Sequence, residues 1–322
     1  MIDQDQTAAP AGVPPDLAAT YLRADRYGFL EPAGGRLRYA CWNVPGTARG
    51  TVVVLTGRGE FIDKYATEVA GELLGRGYAV ISMDWRGQGL SDRPLADRNK
   101  GHIDNFVTYI DDFRLFLDKI VAPSAPRPIL ALCHSMGAHI VLRALAENGS
   151  GPFAAGLLVS PMTGLRREAM LRSVLMVMPE VPAVEERYLF GTGPFLMLAR
   201  EFNSNFVTHD ERRYRFTEEW YVADPRLTLG GPTLGWARQA ARSMTAALAP
   251  GVLERIELPL LVISAGQDQL IDSKTHGPMV ARLKRGEHLT IAGAKHEVMM
   301  ETDDLRALFW EAFDRLAKGM PG

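Results

Sequence analysis

The sequence predicts an α/β fold in which a mostly parallel central sheet is flanked by helices. Six short apolar runs recur along the chain, and continuous runs of this kind are typical of strands buried on both faces of a parallel sheet. Segments with helical periodicity separate most of these runs. Such alternation of strands and helices indicates a doubly wound α/β layer.

The first predicted strand differs from the others. Residues 36–44 alternate between apolar and polar side chains, which predicts a half-exposed edge strand. The six apolar runs predict buried strands at 51–56, 78–84, 128–133, 155–161, 259–265 and 288–294. Apolar stripes predict helices at 64–76, 104–121, 136–147 and 305–316. The glycine spacing in residues 84–91 does not fit a nucleotide-binding loop, so we expect a structural turn there.

Residues 162–250 interrupt this alternation, because they contain helical patches but no strand-like run. We therefore expect an α/β core formed by residues 17–161 and 251–322, with residues 162–250 as a helical cap inserted between two strands. Residues 1–16 are rich in Pro and Ala and predict a disordered leader.

Composition narrows the class of protein. The chain has 322 residues, of which 47% are hydrophobic, enough to bury roughly three quarters of the unfolded surface. Its 36 Lys and Arg against 38 Asp and Glu give a net charge of −2, which predicts neither a nucleic-acid partner nor a polybasic anchor. We find no signal-peptide pattern and no apolar run that could span a membrane. We therefore expect a cytoplasmic protein, with a peripheral position at the inner membrane left open.

Metal and cofactor chemistry is not expected. The two cysteines, Cys41 and Cys133, are too few for a disulfide framework or a Cys-rich zinc site. The histidines do not have zinc-binding spacings. We therefore expect no metal and no cofactor.

The segment Cys133-His134-Ser135-Met136-Gly137 follows a predicted buried strand and opens a predicted helix. A nucleophile elbow of the Gly-x-Ser-x-Gly type requires this context, since its tight turn exposes the serine hydroxyl at the sheet edge. Cys133 replaces the first glycine, and we expect this small residue to be tolerated in the core. Ser135 is the predicted nucleophile, and an ordinary serine at a helix N-terminus is the alternative.

A serine nucleophile needs a base and an acid that orients the base. Of the seven histidines, His296 lies just after the last predicted strand and before the closing helix. We expect His134 to point away from Ser135, because side chains alternate along a strand. Asp268 follows the strand at 259–265 and is favoured as the acid over Asp272, which we expect to cap the next helix.

Acyl transfer also requires donors for the oxyanion. The backbone N–H of Met136 is one expected donor, because it follows the nucleophile directly. The second is the backbone N–H of Arg58, in the glycine-containing loop after strand 51–56. We expect the Arg58 side chain to be a surface or rim group.

The insertion is rich in Leu, Met and Phe, including Met176 and Leu196. Such residues either form ordinary core or line an acyl-chain channel, and flexible Met side chains suit the second role. Arginines occur in two groups, one of which contains Arg213. They either form a solvated face or bind the phosphate of a lysophospholipid head group.

Several blocks of the chain resemble α/β-hydrolases of the bacterial lysophospholipase and monoacylglycerol lipase group, which are serine aminopeptidase-like hydrolases. The blocks are TGRGEFIDKY (56–65), DWRGQGLSDR (84–93), GHIDNFVTYIDDF (101–113), CHSMG (133–137), AGQDQLID (265–272) and GAKHEV (293–298). GTGPF (191–195) and GGPTLGW (230–236) resemble insertion segments of the lysophospholipase branch. The resemblance spans residues 36–317 and departs from the group at Thr56, where a histidine is usual. It implies an α/β-hydrolase fold with a helical lid, a triad of Ser135, Asp268 and His296, and an oxyanion hole at Arg58 and Met136.

These features favour a serine carboxylic-ester hydrolase that acts on lysophospholipids or monoacylglycerols through an acyl-enzyme. A small-ester hydrolase, an amide or peptide hydrolase and an acyltransferase remain alternatives, because fold and triad do not fix the acyl donor. A non-catalytic binding protein is disfavoured by the intact Ser, Asp and His. We expect a small acyl ester or lipid as the partner, with transient contact between the lid and a membrane surface left open.

Overall fold

The computed structural model describes residues 8–17, 19–166, 173, 175, 177–197 and 201–319 of the chain. Within these ranges one sheet contains β1 (Arg26–Leu30), β2 (Leu37–Trp42), β3 (Gly50–Leu55), β4 (Tyr78–Met83), β5 (Ile129–His134), β6 (Phe153–Val159), β7 (Leu260–Ala265) and β8 (Gly286–Ile291). The order across the sheet is β1-β2-β4-β3-β5-β6-β7-β8. The pairs β1–β2 and β2–β4 are antiparallel, and the other neighbouring pairs are parallel. The predicted α/β fold with a mostly parallel sheet is confirmed.

Helices cover both faces of this sheet. They are α1 (Ile62–Tyr65), α2 (Gly71–Gly75), α3 (Phe106–Phe116), α4 (Ala122–Ser124), α5 (Ser135–Asn148), α6 (Pro182–Glu185), α7 (Glu211–Ala223), α8 (Leu234–Ala247), α9 (His276–Val280) and α10 (Asp303–Lys318). The π-helical turns Ala66–Ala70 and Leu117–Val121 join α1 to α2 and α3 to α4. Short 3-10 turns occur at Pro15–Leu17, Phe202–Ser204, Pro225–Leu227, Leu253–Arg255, Ser273–Thr275 and Val298–Met300. No helix in the described ranges is long and apolar enough to cross a membrane.

The central strands send alternate side chains into two apolar clusters, one on each face of the sheet. On β5, Leu130 and Leu132 pack with residues of α1, α2 and α10. Ala131 and Cys133 pack with residues of α3, α5 and α8 on the opposite face. A strand covered by helices on both sides has no face for polar residues, which is why continuous apolar runs predict these strands correctly.

The two ends of the sheet differ from the sequence prediction. Residues 36–44 were expected to form an edge strand, but β2 lies between β1 and β4 and all six of its residues are buried. The charged side chain of β2, Arg38, is paired inside the protein, so alternation of polar and apolar residues does not indicate solvent exposure here. The run at 288–294 is expected to be buried on both faces, yet β8 is the edge strand and exposes part of its surface.

Between β6 and β7 the described residues form α6, α7 and α8 and no strand. The sequence predicts residues 162–250 as a helical cap inserted between two strands; within this range, α8 packs against α3 and α5. Its apolar residues, including Leu234, Ala240 and Met244, belong to the core cluster on that face. Helix α8 therefore covers the sheet as a core helix does.

Residues 8–17 pack against the core, although residues 1–16 are expected to be disordered. Ala8 and Ala9 are buried, and the Ala8 carbonyl accepts a 2.6 Å hydrogen bond from Arg38 Nε. The N–H of Ala11 donates to Asp224 Oδ2 at 3.1 Å. The expectation is wrong for residues 8–16, because composition does not reveal a buried guanidinium that needs a carbonyl acceptor; residues 1–7 lie outside the described ranges.

A buried ion cluster ties β2 to the loops after β3 and β4. The Arg38 side chain is 0% exposed and donates to Asp63 at 2.6 and 3.1 Å and to Asp84 at 3.2 Å. Asp84 also accepts the backbone N–H groups of Ile62 and Leu90 at 2.8 and 2.9 Å. The segment at 84–91 is therefore the structural turn that the sequence predicts, with Asp84 as its organising carboxylate.

We expect Arg38→Gln to lower the free energy of unfolding by about 3–5 kcal/mol, because it leaves two buried carboxylates without their cation. Urea unfolding followed by circular dichroism measures this loss. Arg36→Gln is the matched control: Arg36 pairs with Asp92 at 3.3 Å, but the two side chains are 46% and 39% exposed. The control should cost at most about 1 kcal/mol. Equal losses in the two variants would contradict the role given to the buried cluster.

Candidate active site

Ser135 lies at the junction where β5 passes directly into α5. Its φ of 48° is in the left-handed region, which residues with a side chain rarely adopt. Two residues on, a Cβ at Gly137 would lie 2.4 Å from the carbonyl oxygen of Thr56, so the start of α5 can approach β3 only with glycine there. Cys133 occupies the first-glycine position and is fully buried, and burial raises the pKa of its thiol. These features are those of a nucleophile elbow.

The structure brings the three predicted triad side chains together. The distance from Ser135 Oγ to His296 Nε2 is 3.0 Å, and that from His296 Nδ1 to Asp268 Oδ2 is 2.7 Å. Ser135 follows β5, Asp268 follows β7 and His296 follows β8, all at the carboxyl edge of the sheet. A serine, a histidine and a carboxylate in this relation can transfer a proton from the hydroxyl to the imidazole.

Asp268 is held as a carboxylate. Its other oxygen, Oδ1, accepts the N–H groups of Leu270 and Ile271 at 2.8 and 2.9 Å. Burial alone would raise the pKa of Asp268, but the hydrogen bond and charge of His296, together with these two amides, lower it. Asp272 is separate from the triad, and its side chain accepts the N–H of Lys274 at 3.2 Å at the start of a 3-10 turn. The structure thus places Asp272 in the capping position that the sequence predicts for it.

His134 does not point away from the site, contrary to the sequence prediction. Its ring centroid lies 4.8 Å from that of His296, and its Nε2 lies 3.1 Å from the carbonyl oxygen of His296. Its Nδ1 lies 2.9 Å from Glu60 Oε2. Alternation fails here because the strand ends at His134, and the turn that follows changes the direction of both neighbouring side chains.

The contacts of His134 fix its protonation. Glu60 also accepts hydrogen bonds from Lys64 Nζ at 3.0 Å and Tyr65 Oη at 2.8 Å, and burial would raise its pKa. The charges of His134 and Lys64 instead hold the pKa of Glu60 well below its usual range. A carboxylate and a carbonyl can only accept, so both ring nitrogens of His134 must donate and the ring is a cation. Burial lowers the pKa of His134, but the Glu60 carboxylate raises it above its usual value.

The loop after β3 is held on both sides of Arg58. The N–H of Gly57 donates to Glu60, and the N–H of Gly59 donates to Gln88 at 3.0 Å. Met136 lies in the first turn of α5, where backbone N–H groups have no acceptor within the helix. The assignment of the Arg58 and Met136 amides to an oxyanion hole stays a prediction. The Arg58 side chain, expected to be a surface or rim group, is half-buried and lies on the wall of the cavity described next.

A cavity of about 440 Å³ adjoins Ser135 and His296. Most of its wall is apolar, with Met162, Leu270 and Ile271 near the sheet edge. Further wall residues come from the segment between β6 and β7: Leu165, Leu189, Phe206, Val207, Tyr214, Thr217, Tyr221, Leu229, Pro232, Trp236 and Ala237. The arrangement gives an apolar ligand access to the serine hydroxyl.

The substrate contacts predicted in the insertion are not those that the structure favours. Leu196 is 64% exposed and is not on the cavity wall, and Met176 lies outside the described residues. Arg213 is 4% exposed and donates to Glu68, Asp210 and Asp303 at 2.5–2.7 Å. Its guanidinium is therefore already neutralised, and a phosphate-binding role for Arg213 is wrong. Sequence spacing cannot reveal those acids, because two of the three are distant in the chain.

Two further polar residues position the catalytic loop and were missed in the sequence. Ser160, at the end of β6, has a φ of 44° and donates from Oγ to the His296 carbonyl at 3.0 Å. Glu301 is fully buried and accepts from the N–H of Lys295 at 2.7 Å and from the N–H of His209 at 2.9 Å. The position of Ser160 directly after an apolar strand could have indicated its role, whereas no sequence pattern marks Glu301. No group of three or more His, Cys, Asp or Glu in the described ranges could hold a metal ion.

Comparison with known proteins gives concordant matches. A profile of the hydrolase family described as "serine aminopeptidase, S33" matches residues 46–303. "Lysophospholipase L2" of Escherichia coli (strain K12) is 33% identical over 267 residues, 80% of this chain and 77% of that protein. A "probable lysophospholipase L2" of Haemophilus influenzae is 30% identical over 259 residues, 80% of each chain. A soluble variant of monoglyceride lipase from Saccharomyces cerevisiae, solved with a substrate analogue, has a TM-score of 0.70 at 16% identity, covering 91% of this chain and 95% of that one. At that identity the structural likeness concerns the fold alone.

We expect Asp268→Asn to slow labelling of Ser135 by a fluorophosphonate probe by about 10³- to 10⁴-fold, because an amide no longer holds His296 in the required tautomer. The labelling rate is measured by mass spectrometry of the Ser135 peptide. Asp272→Asn is the control and should leave the rate unchanged, at a stability cost of about 1 kcal/mol as a lost cap. A greater loss of labelling in the control would assign the acid to Asp272.

We expect the stabilising effect of His134, measured against His134→Gln, to decline as the pH rises above about 6.5. Its pKa is raised in the folded protein, so its contribution is complete below the unfolded value of about 6.5 and is lost as the pH rises through the folded value. Urea unfolding at each pH measures the difference between the two proteins.

The control for this profile is His139→Gln. His139 Nε2 forms a 2.7 Å hydrogen bond with Ser243 Oγ. Burial, and to a lesser extent the charge of Arg143, lowers the pKa of His139 to about 3. The contribution of His139 to the free energy of unfolding should be constant above about pH 6.5 and should decrease only as the pH drops below that value. A flat profile for His134 in the alkaline range would contradict the cationic ring.

Proposed function

The chain belongs to the serine aminopeptidase S33 family and is an ester-hydrolysing enzyme, and we propose that it cleaves single-chain acyl lipids. The substrate class is a lysophospholipid or a monoacylglycerol. The observation that carries this proposal is the Ser135–His296–Asp268 relay, whose hydroxyl adjoins an apolar cavity of about 440 Å³. A cavity of this size and lining suits one acyl chain.

The proposed reaction begins with attack of Ser135 Oγ on the ester carbonyl. His296 Nε2 takes the hydroxyl proton as the new C–O bond forms, and the Asp268 carboxylate stabilises the resulting imidazolium. The N–H groups of Arg58 and Met136 stabilise the oxyanion. His296 then gives its proton to the departing glycerol oxygen, which leaves an acyl-enzyme on Ser135. Water, deprotonated by His296, hydrolyses this ester and releases the fatty acid.

We also propose that the part of the insertion before α8 acts as a lid. Phe206, Val207 and Tyr221 from this segment lie on the cavity wall together with the nucleophile. Phe206 is 42% exposed although it is apolar, and Phe190 and Leu196 are still more exposed. An exposed apolar side chain on the cavity wall and others in the same segment support entry of substrate from a micelle or membrane surface.

We expect kcat/KM for monoacylglycerols to rise with chain length from butanoyl to longer chains and then to level off. Each methylene buried in the cavity contributes up to about 0.8 kcal/mol, close to fourfold in kcat/KM. Fatty-acid release is measured over the series, with Ser135→Ala as the inactive reference. A profile that is flat with chain length would reject the lipid proposal and favour a small-ester or amide substrate.

Ala237→Leu should shorten the acyl chain at which the rate levels off, because the added carbons project from the cavity wall. Ala246→Leu is the matched control, since Ala246 lies on the same helix but is exposed. The control should retain the original profile. If both variants keep it, the cavity described here does not hold the acyl chain.

A further inference from the structure

The Arg58 side chain lies on the wall of the catalytic cavity. Its Nη2 donates to the carbonyl oxygen of Gly230 at 2.8 Å, and its Cζ lies 5.2 Å from the centroid of a Trp236 ring. A Cβ at Gly101 would come within 2.3 Å of Nη2, so glycine at 101 leaves room for the guanidinium. Two segments distant from Arg58 in sequence, one at Gly101 and one at 230–236, thus shape the site of this cation.

The other charged side chains on the cavity wall are already paired. Lys64 Nζ lies 3.0 Å from Glu60 and 2.6 Å from Glu297, and His134 lies 2.9 Å from Glu60. Arg58 has no carboxylate within ion-pair distance among the residues that the structure describes. The wall therefore carries one cation whose charge no neighbouring side chain neutralises.

The hydrogen bonds of Arg58 are also incomplete. Its Nε is buried and has no acceptor in the described part of the protein. Burial lowers the pKa of Arg58 to about 10, so the group is destabilised but still charged at neutral pH. Leaving a half-buried charge without an opposite charge is costly, and an anion that enters the cavity lowers this cost. A guanidinium has the donor geometry to bind phosphate oxygens with two parallel hydrogen bonds.

We propose that the Arg58 side chain binds the phosphate of the substrate's head group, so that the preferred substrate is a single-chain lipid with a phosphodiester. This inference rests on the proposed function, which leaves the head group open. Arg58 then contacts the substrate twice, through its backbone N–H at the ester oxyanion and its guanidinium at the phosphate. A similar number of covalent bonds separates these two groups in arginine and the ester carbonyl from the phosphate in an acylglycerophosphate.

The test compares two substrates with the same decanoyl chain in neutral-detergent micelles: monodecanoylglycerol and decanoyl-lysophosphatidylglycerol. We expect Arg58→Gln to lower kcat/KM for the phospholipid about 10- to 100-fold more than for the neutral lipid, the range for a lost hydrogen bond to a charged group. The readout is the ratio of kcat/KM for the phospholipid to kcat/KM for the neutral lipid. A ratio is used because the Arg58 backbone also takes part in the proposed reaction, so the substitution can change both rates. Arg58→Lys, which keeps the charge but loses the planar fork, should give an intermediate ratio.

Arg187→Gln is the matched control, because Arg187 is exposed and does not line the cavity. It removes the same charge and should leave the ratio unchanged. An equal loss on both substrates in Arg58→Gln would overturn the inference and leave Arg58 as a support for Gly230, while the proposed function stands. Failure of the unmodified enzyme to hydrolyse either lipid would reject the proposed function itself together with this inference.

A second measurement uses the unmodified enzyme and does not depend on a folded variant. 1-O-Decylglycero-3-phosphoglycerol has the chain, the glycerol spacer and the phosphodiester but an ether in place of the carboxylic ester, and 1-O-decylglycerol is its neutral counterpart. We expect the phosphate to inhibit hydrolysis of monodecanoylglycerol at a concentration about tenfold lower or more. Equal inhibition by the two compounds would overturn the phosphate site.

Discussion

The left-handed turn at Ser135 is the constraint on which the rest of the site depends. A backbone of this kind costs on the order of 1–3 kcal/mol and persists only where the surrounding packing holds it. Here α5 begins without a loop, and Gly137 lets its first turn press against the carbonyl of Thr56 at the end of β3. The same contact sets the start of the loop that contains Arg58. Because β7 and β8 end at this edge of the sheet, Asp268 and His296 need only short loops to reach the serine.

The segment Glu60–Tyr65 connects two buried groups of charges that lie on opposite sides of it. Asp63 pairs with Arg38 beneath the loops, and Lys64 pairs with Glu60 and Glu297 beside the catalytic histidine. Each charge has an opposite charge within hydrogen-bond distance, which is the condition under which buried ions are tolerated. The apolar side chains of the segment, Phe61, Ile62 and Tyr65, are buried in the hydrophobic clusters. The segment therefore stiffens the oxyanion loop through ion pairs and through apolar packing.

Local patterns were sufficient to predict some of these features and insufficient for others. Ser135 follows from five consecutive residues, and Asp268 follows from its position after an apolar strand. The orientation of His134 does not follow from alternation, because the direction of the chain changes where the strand ends. The neutralised state of Arg213 and the unpaired state of Arg58 depend on which acids lie nearby in space, and the partners concerned are mostly far apart in sequence. The sequence shows which residues are charged, whereas the fold determines whether a charged side chain is already neutralised by a neighbour or can still bind a ligand.

The backbone bond between the insertion and the loop of the base has a consequence for regulation. The N–H of Glu297, next to His296, donates to the carbonyl of Val207 at 2.8 Å. An insertion that moves outward breaks this bond and removes one anchor from the loop of the base. Admission of substrate and ordering of the base are then coupled in a single equilibrium, and a ligand that favours the closed insertion also favours the ordered base.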